Sequence, residues 1–361
     1  MAGIFPRLRF ASRGAGWRGL GIFWVIVILL LAAGAATLQV LGPPAQLPPR
    51  PLLATAQAPH PVVAPPTAAP PPVQQPPGQA RTGPHPGRDT PGPIADPDPA
   101  LLDPVIDEPN NPLPRIAIDG RMPMQVYAAG VDQSTRRPKV GLLLAGVGLN
   151  QAESDAAVRT LPGGITLAFS PYAPNPTKLL AAARLAEHEY LVSLPMEPQG
   201  FPINDPGVQA MMANLSPEQN HQRLEWAMSR IAGYVGATGA LGTTRGERFV
   251  ALPDQMNPVL TELAKRGLLY VDARPDTAAL PIAWGRGIDV VIDEPATPAE
   301  IDDKLGRLAK LAHKKGSALG LATAVRPVTV NRIANWANGL EADGLTLAPV
   351  SALAKPPAVA K

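Results

Sequence analysis

The sequence predicts an α/β fold, a (β/α) barrel, preceded by one transmembrane helix and a disordered proline-rich linker. Three observations carry that reading. A run near the N-terminus is apolar and free of charge; a block of 72 residues holds 24 of the 46 prolines; and short apolar runs then alternate with amphipathic helices. The chain has 361 residues, a net charge of +3 and no cysteine. Without cysteine there is no disulfide framework, no thiol nucleophile and no cysteine-ligated metal site.

Residues 1–19 carry Arg7, Arg9, Arg13 and Arg18 and no acid, and read as a basic cytoplasmic N-terminus. From Leu20 to Leu38 there is no charge at all. At 1.5 Å per residue this run makes about 28 Å of helix, close to the hydrocarbon thickness of a bilayer. Residues 20–42 are therefore expected to be a transmembrane helix or signal anchor, with Trp17 and Trp24 at the cytoplasmic interface. The positive flank puts the N-terminus inside, so the expected protein is single-pass in the inner (plasma) membrane, with its globular domain periplasmic or extracytoplasmic. Ala33-Gly34-Ala35 offers a small-x-small cleavage pattern, which leaves a removed signal peptide as the alternative. Both readings export the domain.

Residues 43–114 form the proline-rich block, expected to be a disordered linker. Its Pro-Pro pairs favour solvated polyproline II, and fully extended it would reach about 220 Å. It reads as a spacer, or as a PxxP ligand for a partner.

The folded domain is expected over residues 115–355, with a short tail at 356–361. Its charge is nearly balanced, which removes the main support for nucleic-acid binding. Val140–Leu144 reads as a buried strand, Gln151–Leu161 as a helix, Ile165–Phe169 as a strand, Thr177–Glu187 as a helix and Tyr190–Leu194 as a strand. Ser216-Pro217-Glu218-Gln219 starts a helix with a capping box. Helix Pro258–Arg266 leads through Gly267 into strand Leu268–Val271, and Val290–Ile292 is a further strand. Thr297 caps a helix that Gly316 ends, before strand Ala318–Leu321, a helix near Val330–Leu340 and the segment Thr346–Pro349. Strands that are apolar throughout and alternate with helices imply a parallel sheet covered on both faces. Seven or eight such units suit a barrel.

Reactive residues in such barrels sit where strands end. That rule selects Ala145-Gly146-Val147-Gly148, Pro195-Met196-Glu197-Pro198 and Asp272-Ala273-Arg274. The order VGLLLAGVGL (140–149), ITLAFSPYAP (165–174), HEYLVSLPMEP (188–198), GERF (246–249), LLYVDAR (268–274) and GLTLAPVSAL (344–353) resembles the divergent polysaccharide deacetylase family, from about Pro138 to Leu353. The resemblance implies a distorted (β/α) barrel related to metal-dependent carbohydrate deacetylases, which would use a divalent metal such as zinc.

It also implies ligands this chain does not have. Where the family's first strand ends in two aspartates, this sequence has Ala145 and Gly146; where the family has a histidine, it has Thr244; and a later Gly-His-Pro element matches Ala322-Thr323-Ala324. A bound divalent metal lowers the pKa of water from about 15.7 to about 7, roughly 12 kcal/mol towards hydroxide at neutral pH. Alanine, glycine and threonine supply none of that, so the expectation is no metal and no cofactor. The protein would bind a polysaccharide or an envelope protein through the old cleft, with residual hydrolysis of acyl groups as the alternative.

The remaining candidates are Glu197 and Asp272 as catalytic acid or base, and His188, Arg274, Glu247 and Arg248 as substrate-binding groups. Each has a structural alternative. Glu197 lies between prolines that fix a turn; Asp272 and Arg274, two apart on a strand, suit an ion pair; His188 ends a helix whose carbonyls it could cap. Tyr172 and Trp284 are candidate surfaces for stacking sugars. His221 and His313 fall on helices and read as solvated.

Overall fold

The computed structural model describes residues 23–30, 32, 86–105, 108–132 and 134–357. Residues 23–30 are helical. The rest of the expected membrane segment, and residues 43–85 of the linker, lie outside the described residues. Among the described residues no helix is long and apolar enough to cross a membrane. The chain divides into two units, Met1–Gly78 and Gln79–Lys361. All that follows concerns the second.

The folded unit begins well before residue 115. Strand β1 (Leu102–Val105) pairs antiparallel with β2 (Glu108–Pro114), Leu101 is fully buried and Ile94 nearly so. The end of the proline-rich block is thus structured, a correction to the disordered linker expected there. Composition misleads because proline lacks only the amide donor. A two-stranded ribbon leaves outer edges where no donor is needed, and Pro99 opens a short 3-10 turn capped by Asp98.

Eight parallel strands follow: β3 (Lys139–Val147), β4 (Thr166–Phe169), β5 (Tyr190–Ser193), β6 (Gly236–Thr238), β7 (Leu269–Pro275), β8 (Gly285–Ile288), β9 (Val290–Val291) and β10 (Ser317–Ala322). A short β11 (Thr346–Leu347) adds to the start of β3. The order is β8-β7-β6-β5-β4-β3-β10-β9, and only Asp289 separates β8 from β9. One continuous strand therefore pairs with β7 on one side and with β10 on the other, and the sheet becomes a nearly closed barrel.

Asp289 stitches that closure. Its backbone N–H donates to the Leu319 carbonyl at 2.8 Å, and its own Oδ2 accepts the Leu319 N–H at 2.9 Å. The side chain thus supplies an acceptor where the change of partner leaves no carbonyl in line. Arg286 at 2.8 Å and Lys315 at 2.9 Å neutralise the carboxylate.

Side chains alternate across the barrel wall as a strand requires. Leu143, Ala145, Leu191, Val271, Ala273 and Leu319 belong to the interior cluster; Leu142, Leu144, Val192 and Tyr270 pack under the helices. Those helices are Gln151–Thr160, Thr177–Leu185, Pro217–Ser229, Pro253–Lys265, Pro298–Lys315 and Pro327–Gly339. The capping box at Ser216 forms, and Gly316 ends its helix at φ 78°. The helix expected from Pro258 starts at Pro253, with Pro258 inside it.

Strands β6 and β8 carry glycine where strands are read from β-branched residues. A Cβ at Gly236 would lie 2.2 Å from the Leu269 carbonyl oxygen, and one at Gly285 would lie 2.5 Å from that of Tyr270. Close backbone approach on both sides of β7 excludes a side chain at these positions.

The lower end of the barrel is plugged by Tyr127–Val131 and Val350–Leu353. Glu189 ties both plugs to the wall. Its carboxylate accepts from Ala129 N–H at 3.0 Å, Thr166 Oγ1 at 3.0 Å, Ser351 N–H at 2.9 Å and Ser351 Oγ at 2.6 Å. Burial pushes its pKa up, and these donors pull it back. Glu189→Ala leaves buried donors unsatisfied and should cost about 3 kcal/mol or more in urea unfolding; an unchanged midpoint would show that the plug does not depend on this carboxylate.

Candidate functional site

Loops from the upper, C-terminal ends of the strands surround the mouth of the barrel. At the end of β3 an extra residue enters the ladder between Leu144 and Val147, and Gly146 takes φ 77°. This glycine bulge turns the chain across the mouth. A Cβ at Gly146 would lie 3.6 Å from Gly242 Cα and 3.7 Å from both Leu149 Cδ1 and the Thr323 carbonyl oxygen. Gly242 opens the loop expected to carry the family's histidine, and Thr323 follows β10. Three segments where the family places ligands therefore meet at one point.

The groups present there do not fit a divalent cation. Ala145 is buried in the apolar interior, and Gly146 and Gly242 have no side chain. Thr244 Oγ1 donates to the Leu241 carbonyl of its own turn at 2.8 Å. The Leu149 side chain covers both glycines. Among the described residues no three His, Cys, Asp or Glu side chains are grouped so that they could hold a metal.

Around this apolar centre run charged pairs. Glu197 is almost fully buried; Oε2 accepts the Ala213 N–H at 2.7 Å and Oε1 meets Arg248 Nη1 at 2.9 Å. Its backbone N–H donates to Met211 and its carbonyl accepts from Phe249. Glu197 thus joins the loops after β5 and β6, while Arg248 stays largely exposed. Glu247 accepts from Gln199 N–H and pairs with Arg245, which also reaches Glu294 at 2.7 Å.

Asp272 is fully buried and bound by Arg274 through Nη2 at 2.7 Å, Nε at 3.0 Å and the backbone N–H at 3.0 Å. Leu269, Val271 and Ala273 face the barrel interior, so this pair takes the opposite face of β7. Neither Glu197 nor Asp272 is presented to a substrate as a free acid or base. Glu247 and Arg248 are partly accessible at the mouth, and Arg274 is partly accessible on the outer face of β7.

His188 corrects the sequence reading. It lies at the other end of the barrel, before β5, fully buried, with Nδ1 2.8 Å from the Ile165 carbonyl and Nε2 3.3 Å from that of Val158. Burial lowers its pKa. Neutral, it donates from one ring nitrogen, with the Ile165 carbonyl the nearer acceptor, and it cannot reach a ligand in the mouth. Trp284 also lies low, ahead of β8, its carbonyl accepting from Tyr270 N–H. Tyr172 is on the upper side, its ring 5.2 Å from Trp226 and its hydroxyl accepting from Gln209 N–H.

The residue the sequence reading missed is Asp293. It follows β9, is buried, and accepts from Thr323 N–H at 2.8 Å and Ala324 N–H at 3.3 Å, with Arg326 at 3.5 Å. Burial pushes its pKa up. The rule that selected the other strand ends would have found it at Ile292-Asp293.

Residues 142–354 match the family of divergent polysaccharide deacetylases. The chain belongs to that family. A crystal structure of the uncharacterized protein ATU2773 from Agrobacterium tumefaciens C58 superposes with a TM-score of 0.62 at 32% identity, covering 67% of this chain and 98% of that one. The uncharacterized protein YibQ of Escherichia coli K12 is 25% identical over 210 residues, 56% of this chain and 63% of that protein. An uncharacterized Haemophilus influenzae protein is 25% identical over 205 residues, 55% of this chain and 70% of its own length. The deacetylase match covers the barrel and its mouth and leaves the first 141 residues unmatched.

Within this deacetylase-type barrel, removing Arg274 would strand the buried Asp272 charge. Arg274→Ala should cost about 3–5 kcal/mol in chemical denaturation, Arg274→Lys less, and Asp272→Asn/Arg274→Ala should recover part of the loss. Equal stability of all three variants would show that the pair is not structural.

Proposed function

We propose that this chain is an exported, membrane-anchored member of the divergent polysaccharide deacetylase family that binds an envelope glycan, or a protein partner in the envelope, without hydrolysing it. The observation that carries the reading is the convergence of Gly146, Gly242 and Thr323 under Leu149. The positions that the family resemblance assigns to ligands fall close together, the residues at 146, 242 and 244 offer a cation no carboxylate or imidazole, and the one carboxylate beside them, Asp293, is bound by the Thr323 and Ala324 N–H groups. A hydrolase that relies on metal-activated hydroxide would lose most of its barrier lowering with that donor set.

Beside the apolar centre, Arg248 presents planar donors and Glu247 presents acceptors, the chemistry that recognises sugar hydroxyls, and Arg274 keeps one guanidinium nitrogen clear of Asp272. Membrane attachment rests on the uncharged run Leu20–Leu38 and the four arginines before it.

The test uses the full chain purified in detergent. Calorimetric titration with zinc should show no site tighter than about 10 μM, and N-acetylated glucosamine oligomers should release no acetate. The same oligomers should bind, and Arg248→Ala should weaken that binding by about tenfold. Stoichiometric tight zinc with acetate release would contradict the proposal and establish the hydrolytic alternative.

A further inference from the structure

Exposed apolar side chains on this domain are distributed unevenly. Among the described residues of the folded unit, the large hydrophobic side chains left exposed are Ile118, Leu149, Leu185, Phe201, Ile203, Val208 and Leu252. Ile118 and Leu185 lie towards the lower end. The other five lie in loops that follow β3, β5 and β6, on the rim of the mouth.

Three of them share one loop, Gln199 to Gln209, where Ile203 is 92% exposed and Val208 83%. Leaving aliphatic side chains in water costs about 25 cal/mol per Å², so their exposure on a well-anchored loop calls for an apolar environment elsewhere.

The loop is held in place. Gln199 N–H donates to Glu247 at one end, and Gln209 N–H donates to the Tyr172 hydroxyl at the other. Gly207, at φ 99°, sits under the Tyr172 ring, where a Cβ would come within 2.6 Å of the hydroxyl oxygen. From 198 to 213 the sequence PQGFPINDPGVQAMMA carries one charge, Asp205, in a chain that is 17% charged. That carboxylate accepts the Gly207 N–H at 2.8 Å.

We infer that this loop is a lipid-docking element that seats Phe201, Ile203 and Val208 in the surface of a bilayer and turns the mouth of the barrel towards it. Two observations favour lipid over a protein. The side chains stand exposed on a loop, and an acyl-chain phase needs no complementary shape, whereas a protein interface does. The loop is also almost without charge, as entry into the acyl boundary demands. The inference does not depend on glycan binding, which could fail while the docking holds.

The chain has no cysteine, so a single one reports cleanly. Ile203→Cys and, as the control, Ile118→Cys are labelled with an environment-sensitive fluorophore in the full chain and reconstituted in phosphatidylcholine vesicles, with and without brominated acyl chains. The label at position 203 should shift to the blue and be quenched by brominated lipid about tenfold more than the label at 118. Both positions are exposed, so neither substitution touches the core. Adding Val208→Asp to the labelled Ile203→Cys chain should abolish the quenching. Equal quenching at 203 and 118, or quenching at 203 that survives Val208→Asp, would overturn the inference.

Discussion

The barrel exists because one strand changes partner. Gly285–Ile288 follows β7, Val290–Val291 follows β10, and Asp289 between them supplies a carboxylate where the ladder lacks a carbonyl. Without that joint the sheet would be open, and the loop after β6 would be free to move away from those after β3 and β10, strands that pair directly. The charge is affordable only because Arg286 and Lys315 neutralise it; an unpaired carboxylate at the seam would destabilise the closure it makes.

Closure also explains why the two ends of the barrel differ. At the lower end, the Glu189 carboxylate accepts from backbone and hydroxyl donors of both plugs and of the wall, and His188 holds the Ile165 carbonyl. At the upper end, the charged groups pair between loops, Glu197 with Arg248 and Arg245 with Glu247 and Glu294, and the arginines keep part of their surface in solvent. A rigid lower end and an accessible upper end are what a binding barrel requires.

Much of this was legible in the sequence, for identifiable reasons. The strands β3, β4, β5 and β10 are continuous apolar runs, and the helices carry caps and stop signals that act locally. Strands β6 and β8 were hidden because their glycines answer to neighbouring backbone, a constraint no local pattern records. The start of the fold was hidden by proline, which marks disorder only when nothing packs against it. At the mouth, strand ends pointed to Glu197 and Asp272, but only the structure shows that both carboxylates are already taken. His188 was drawn into the site by its place in a motif, and alternation along the chain could not reveal that it lies at the wrong end.

We propose that the frame brings the family's ligand positions together around groups that do not hold a cation. Anomalous diffraction at the zinc edge, from crystals of this chain soaked in zinc, tests it most directly. No peak is expected among Gly146, Gly242 and Thr323, with the Leu149 side chain beside the two glycines. A well-ordered peak at that point, with protein atoms about 2.0–2.2 Å away, would contradict it.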